Sequence, residues 1–197
     1  MNRYFLAHKP YRVLSRFTST GGKLCLKDFF KLPRSVYSVG RLDYESEGLL
    51  ILSNDKMLTH QLLNPSFRHQ RKYLVQVEGD ITHTALQLLR EGVDINIDGE
   101  IYHTLPAEAD VIKEPGNIPE RNPPVRMRKS IPTSWIELKL TEGKNRQVRR
   151  MTAAVGFPTL RLIRFSIENL NLGTLQPGEI KELSKNTIYS KLFNRTD

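Results

Sequence analysis

The stretch GRLDYESEGLLILS, residues 40–53, holds both the clearest strand and the clearest candidate for chemistry in the chain. Its second half, Gly48–Ser53, is an apolar run of the kind that forms a buried strand. Its first half places Asp43 in a turn that follows a glycine, beside Arg41 and just ahead of that strand. A carboxylate at such an edge is within reach of a ligand, so Asp43 is a candidate catalytic residue. The alternative is an aspartate that caps the turn or forms a surface ion pair.

On both sides of this stretch the sequence alternates between predicted strands and helices. Asp55 can cap a helix over Lys56–Leu63. Two more helices are predicted, one capped by Thr82 that runs through Arg90 and one capped by Asn145 that runs from Arg146 to about Val155. Strands are predicted at Arg3–Ala7, Val36–Val39, Arg71–Glu78, Ala107–Ile112, Thr133–Leu140 and Arg161–Ile167, and loops at Asn96–Pro106 and Glu114–Pro124. This order predicts an α+β fold with a mixed, largely antiparallel central sheet flanked by helices.

The composition excludes several classes of protein. The 197 residues include 30 Lys or Arg, 21 Asp or Glu and 39% hydrophobic residues, which is typical of a globular protein. No stretch is apolar enough for a membrane helix, and the first residues lack a signal-peptide core. The single Cys25 excludes an internal disulfide and indicates a reducing cytoplasm. The five histidines form no i, i+4 pair and no glycine-rich phosphate loop is present, so we expect neither metal nor cofactor.

The net charge of +9 is unevenly distributed. Residues 121–164 contain 11 Lys or Arg and two Glu, a net charge of 11 − 2 = +9. Residues 91–120 contain eight acids and one base. A positive charge so localised indicates a polyanion as the partner. The alternative is a solvated basic face.

Two further motifs carry candidate binding residues. In Gly143–Met151 the side chains of Arg146, Arg149 and Arg150 share one face of the predicted helix, where an anion would relieve their mutual repulsion. That anion could be a phosphate or a buried carboxylate, and the alternative is a solvated face. In the pair Lys72-Tyr73, Tyr73 opens an alternating strand, where a half-buried structural tyrosine is the alternative to a functional one.

Read together and in order, these motifs resemble the pseudouridine synthases of the ribosomal small-subunit synthase A family. The resemblance rests on Gly40–Leu50, on Lys72-Tyr73, on Gly143–Met151 and on the residues Leu162, Arg164 and Ile167, and it spans roughly Tyr4 to Glu179. Residues 121–124, 128–135 and 156–164 resemble the members that modify large-subunit ribosomal RNA. One departure is Lys56, where relatives often have a glycine.

The resemblance implies an isomerase that converts a uridine in large-subunit ribosomal RNA to pseudouridine without a cofactor. It implies that Asp43 is the nucleophile, that Arg149 pairs with it, that Tyr73 stacks on the target base and takes part in proton transfer, and that Arg41 lies beside the flipped nucleotide. The side chains expected to bind RNA phosphates are Lys72, Arg126, Arg128, Arg146, Arg150 and Arg164.

It also implies a single catalytic domain, residues 1–197, built from two intertwined α+β subdomains, one of them centred on residues 10–70. We expect no N-terminal accessory RNA-binding domain, a monomer, and a cytoplasmic location. We also expect a loose C-terminal tail at residues 185–197, with a loose helix from Lys185 as the alternative. The rival hypothesis is a ribosome-associated RNA-binding protein without activity. Together Asp43, Tyr73 and Arg149 favour the enzyme, because a pure binder has no need of an acid in a basic cleft. A DNA-binding regulator is not supported by any helix-turn-helix spacing.

Overall fold

The computed structural model describes residues 1–116, 118–126, 128 and 130–193. The strands are β1 (Tyr4–Lys9), β2 (Tyr37–Val39), β3 (Glu47–Ser53), β4 (Arg71–Glu78), β5 (Asp94–Ile97), β6 (Glu100–His103), β7 (Glu108–Ile112), β8 (Thr133–Leu140), β9 (Thr159–Ile167), β10 (Leu170–Asn171) and β11 (Ile180–Leu183). The helices are α1 (Lys56–Leu63), α2 (His83–Glu91), α3 (Gln147–Ala154) and α4 (Lys185–Phe193), with short 3₁₀ turns at Leu26–Asp28 and Pro65–Phe67. These elements form two compact units. Met1–His69 and Ile163–Asp197 make up the first unit, and Gln70–Leu162 makes up the second.

Strand β3 organises the sheet of the first unit. Strand β1 runs antiparallel to it, from Tyr4 opposite Ser53 to Lys9 opposite Gly48, and β11 pairs with the other edge of β1. Strand β2 lies antiparallel to the end of β3, while β9 lies parallel to its beginning, with Gly48 opposite Arg164. Every position of β3 is buried, as its apolar sequence predicts.

Asp55 connects three elements of the first unit. Its Oδ1 accepts hydrogen bonds from the amides of Met57 and Leu58, which is the predicted cap of α1. Its Oδ2 accepts from the hydroxyls of Tyr4 on β1, at 2.7 Å, and of Tyr189 on α4, at 2.9 Å. Burial raises the pKa of Asp55, but these hydrogen bonds outweigh it, so the pKa lies below its ordinary value of 3.8.

Helix α4 differs from the loose tail expected at residues 185–197. Ile188 and Leu192, one helical turn apart, are buried, and Tyr189 between them bonds to Asp55. Burial of this apolar stripe holds the segment as a packed helix. The remainder of the expected tail, residues 194–197, lies outside the described residues.

In the second unit, β8 is the middle strand of an antiparallel sheet in the order β4, β8, β7. The inner faces of β4 and β8 pack with α2 and α3 around buried residues that include Val75, Leu89, Ile136 and Met151. Among the residues that the structure describes, no helix is long and apolar enough to cross a membrane.

The loop expected at Asn96–Pro106 is wrong, because this region contains the hairpin of β5 and β6. Its two-residue turn, Asp98-Gly99, has positive φ at both positions, and the Gly99 amide donates to Asn96 Oδ1. The Asp-Gly pair is a strong sequence signal for such a turn, and the polar composition of the region concealed it.

The start of α3 also differs from the prediction. The cap position is Arg146, in the left-handed conformation and without a capping side chain, so Asn145 does not cap the helix. Gln147 organises this end instead. Its Oε1 accepts from the Lys144 amide at 2.9 Å, and its Nε2 donates to Glu142 Oε1 at 2.6 Å.

Candidate active site

The loop that carries Asp43 is held from both sides by backbone contacts. Gly40 has a φ of +74°, a conformation that favours glycine, and the Ser46 amide donates to the Asp43 carbonyl at 3.1 Å. Ser15 clamps the preceding residue, because its hydroxyl donates to the Leu42 carbonyl at 2.7 Å and accepts from the Leu42 amide at 3.0 Å. The Asp43 side chain is left partly exposed on a fixed backbone, which suits a reactive carboxylate.

Lys9, at the end of β1, is a fully buried lysine that the sequence analysis did not single out. Its Nζ donates to the carbonyls of Pro10, at 2.8 Å, and Val13, at 2.7 Å. These bonds tie the end of the strand to the turn that follows it. The sequence did not indicate this burial, since it depends on contacts with β3 and β9.

The charges around Lys9 come from the Asp43 loop, from β3 and from β9. Burial lowers the pKa of Lys9 from 10.5 to about 7, the carboxylates of Glu47 and Asp43 oppose that shift, and the guanidinium of Arg164 adds to it. Glu47 is 2% exposed and Arg164 5% exposed. A buried layer of two cationic groups and one carboxylate therefore adjoins the candidate catalytic aspartate.

Arg164 was expected to bind RNA, and the structure places it in the core of the first unit instead. Its Nε donates to the Leu49 carbonyl at 2.9 Å, and its backbone lies directly against Gly48. An enclosed guanidinium that bonds the neighbouring strand serves the packing of β9 on β3 rather than a phosphate on the surface.

Arg41 is exposed, as a nucleotide-contacting arginine requires, and it belongs to a basic segment that the charge analysis missed. Residues 12–41 contain seven Lys or Arg and one acid, a net charge of 7 − 1 = +6. All seven basic side chains are exposed: Arg12, Arg16, Lys23, Lys27, Lys31, Arg34 and Arg41. This local positive charge can be counted in the sequence, but the acids elsewhere in the chain offset it in the net charge.

In the second unit, Tyr73 lies in the hydrophobic core, 9% exposed, on the same face of β4 as Val75 and Val77. Its neighbour Lys72 forms an ion pair with Glu137 of β8 at 3.1 Å. Lys72 was expected to bind a phosphate, and this carboxylate now competes for its ammonium group.

The three arginines near the start of α3 do not form the single exposed row that the helix pattern predicted. Arg146 precedes the helix and is exposed, whereas Arg149 is half-buried and donates to the Thr159 carbonyl at 3.4 Å. Arg150 donates to the Asn145 carbonyl, to Asn145 Oδ1 and to the Asn96 carbonyl. Its guanidinium thus ties α3 to the β5–β6 hairpin.

The loop before β8 divides its basic residues between two roles. Arg121 donates to the carbonyls of Pro123 and Pro124, and Arg161 donates to that of Pro119, so both shape the loop. Arg126 and Arg128 are exposed. The Arg128 guanidinium lies 3.7 Å from the Glu78 carboxylate. This ion pair is long and solvent-exposed, so it contributes little.

Asp43 belongs to the first unit, while Tyr73 and Arg149 belong to the second. Their convergence in one cleft, and the pairing of Asp43 with Arg149, stay predictions. In the described part of the chain no cluster of three or more His, Cys, Asp or Glu side chains could hold a metal ion.

The chain is similar to known proteins over nearly its whole length. The family described as RNA pseudouridylate synthase matches residues 3–154. A protein from Vibrio vulnificus named ribosomal large subunit pseudouridine synthase E is 48% identical over 182 residues, which is 92% of this chain and 75% of the relative. A protein of the same name from Xanthomonas campestris is 49% identical over 176 residues, 88% of this chain and 91% of the relative.

A solved structure, described as the crystal structure of pseudouridylate synthase, has the same fold. It superimposes with a TM-score of 0.79 at 24% identity and covers 98% of this chain and 74% of the other. The α+β fold and the family resemblance expected from the sequence are thereby confirmed.

Proposed function

Because the chain belongs to the RNA pseudouridylate synthase family, we propose that it converts one uridine of large-subunit ribosomal RNA to pseudouridine. The observation that carries the proposal is 48% identity over 92% of the chain to a large-subunit pseudouridine synthase. Asp43 is partly exposed, and Ser15 and the turn to Ser46 fix its backbone, so it is a suitable nucleophile for the proposed reaction.

The reaction rearranges bonds within one nucleotide. The C1′–N1 glycosidic bond breaks, the uracil turns, C5 bonds to C1′, C5 gives up its proton to solvent, and N1 takes up a proton. The target base must first leave its stack. In our proposal the ionised Asp43 carboxylate attacks C1′ of the flipped nucleotide as N1 leaves, and it is displaced again when C5 bonds to C1′. Tyr73 contacts the base and takes part in the transfer of the C5 proton. Arg149 is the counter-ion of Asp43, and Arg41 occupies the space beside the flipped nucleotide.

We assign phosphate binding to the exposed cations of both units. They comprise the basic residues between Arg12 and Arg41 in the first unit and Arg126, Arg128 and Arg146 in the second. Such contacts supply affinity and register but little sequence information. Arg150 and Arg164 are left out because protein carbonyls occupy them, and Lys72 contributes only where RNA displaces Glu137. We further propose that the protein acts in the cytoplasm as a monomer without a cofactor.

The test compares Asp43→Asn with Glu45→Gln, which removes an exposed carboxylate two residues along the same loop. Tritium release from large-subunit RNA containing 5-tritiated uridine reports turnover, and filter binding reports RNA affinity. We expect Asp43→Asn to bind RNA at least as well as the parent, since an anion is lost from a basic region, and to show no turnover. Glu45→Gln should retain turnover.

Three results would overturn the proposal. Turnover by Asp43→Asn would remove the aspartate from the mechanism. Loss of both folding and binding in that variant would make Asp43 structural. RNA binding by the parent protein without tritium release from any ribosomal RNA would identify an inactive binding protein.

A further inference from the structure

We propose that Lys9 is a positioning residue for Asp43, one that fixes the aspartate loop through a chain of hydrogen bonds and supplies a positive charge to its carboxylate. This inference rests on the proposed function, since it assigns a role toward the proposed nucleophile. Lys9 lies on β1 and is fully buried, so we expect its amine to act on the reaction through neighbouring residues rather than by contact with RNA. Asp43 is the neighbour that the proposed reaction uses.

The mechanical connection consists of contacts within the first unit. The Lys9 Nζ holds the Val13 carbonyl at 2.7 Å. Two residues further on, the Ser15 hydroxyl grips both the carbonyl and the amide of Leu42, at 2.7 and 3.0 Å. Leu42 is bonded directly to Asp43. Removing the Lys9 amine therefore releases the turn that carries Ser15, and Ser15 fixes the backbone next to the nucleophile.

The electrostatic connection uses the charge of the same amine. Three groups face Lys9: Asp43 from its loop, Glu47 from β3 and Arg164 from β9. A buried cation attracts both carboxylates, so its charge helps to hold the Asp43 carboxylate in place. Attack requires a carboxylate that is correctly oriented toward the nucleotide, so the charge of Lys9 and the rate of attack by Asp43 are coupled.

A change of pH distinguishes the electrostatic connection from the mechanical one. A neutral amine still has two N–H groups, enough for the carbonyls of Pro10 and Val13, so deprotonation removes the charge and leaves the hydrogen bonds. The pKa of Lys9 is about 7. We therefore expect the single-turnover rate constant to fall as the pH rises through this range, while RNA affinity follows no such step.

The first experiment needs no catalysis. Titration of the Lys9 side chain by carbon-13 NMR in the free protein reports its pKa directly, in the parent, in Asp43→Asn and in Glu45→Gln. Coupling is reciprocal, so loss of the Asp43 charge should lower the pKa of Lys9, while Glu45→Gln should leave it unchanged. An unchanged Lys9 pKa in Asp43→Asn would refute the electrostatic connection, whether or not the protein proves to be an enzyme.

The second experiment measures turnover in Lys9→Met, in the conservative Lys9→Arg, and in Lys181→Met, which removes an exposed lysine of β11. In folded Lys9→Met we expect the single-turnover rate constant to fall about 10- to 100-fold, as expected for a displaced catalytic group. RNA affinity should hold and the alkaline decline should disappear. Lys9→Arg should recover part of the rate, and Lys181→Met should match the parent.

A rate constant for folded Lys9→Met within about twofold of the parent would refute the proposal, given the loss expected from displacement. The proposal would also be refuted if Lys9→Met lost RNA affinity and single-turnover rate to the same extent, or if its rate still declined at alkaline pH as in the parent. If Lys9→Met does not fold, the rates of Lys9→Arg and the parent's pH profile decide the matter together with the titration. Absence of turnover in the parent would refute the proposed function alone, because the titration still tests the coupling.

Discussion

Replacing Gly48 with alanine tests the parallel pairing of β3 and β9. Gly48 has a φ of +109°, and a Cβ there would lie 2.3 Å from the carbonyl oxygen and 2.7 Å from the amide nitrogen of Arg164. A backbone conformation that disfavours L side chains costs about 1–3 kcal/mol. A forced shift of packed backbone adds about 1–3 kcal/mol. The expected loss is thus about 2–6 kcal/mol, a large part of the roughly 5–15 kcal/mol that stabilises a domain.

Gly21→Ala is the matched control, since Gly21 has a φ of +60° with nothing within 4 Å of the added carbon. This variant carries the conformational cost alone, about 1–2 kcal/mol. Urea unfolding followed by circular dichroism, with linear extrapolation to zero denaturant, gives both free energies of unfolding. If Gly48→Ala is no less stable than Gly21→Ala, the close approach of Gly48 to Arg164 is wrong.

Three further outcomes are expected. Tyr189→Phe should cost about 1.5–3 kcal/mol at neutral pH, since it removes a hydrogen bond to a charged group. Because the pKa of Asp55 is depressed below 3.8 in the folded protein, that contribution is present above pH 3.8 and disappears as the pH falls through the folded value, which acid titration of thermal stability would reveal. The pKa of Lys9 is also lowered on folding, from 10.5 to about 7, so the unfolded chain binds more protons between those values. Urea unfolding should therefore show stability rising with pH in that range in the parent but not in Lys9→Met. Filter binding over a range of salt should show a steep decline in RNA affinity, with a slope reduced by about 1 in Arg126→Ala, and a slope unchanged by Arg126→Ala would remove that residue from the RNA surface.

The sequence predicted best the features that depend on neighbouring residues. The cap at Asp55 and the full extent of α1 were predicted correctly, because a capping side chain bonds to amides two and three residues away. The burial of β3 followed from its apolar run in the same way. Asp43 entered as a candidate because its turn and the strand after it are contiguous in the chain.

Features that depend on distant partners could not be predicted. A count of charges does not show that Arg150 bonds to Asn96 or that Arg164 bonds to Leu49, more than fifty residues away in each case. The burial of Lys9 arises from strands that meet only in the folded chain. The packing of α4 could have been predicted from the spacing of Ile188 and Leu192, which lie one helical turn apart. The polar residues around them made this apolar pair hard to recognise.

The order of the two units along the chain has a consequence for synthesis on the ribosome. The second unit is one continuous segment, Gln70–Leu162, whereas the first is assembled from residues on either side of it. A nascent chain can therefore complete the second unit while the first still lacks residues 163–167 of β9, β10, β11 and α4. Until those elements emerge, Asp55 lacks the hydroxyl of Tyr189, and the outer edge of β1 has no partner strand. The carboxylate proposed for catalysis thus resides in the part of the molecule that is finished last.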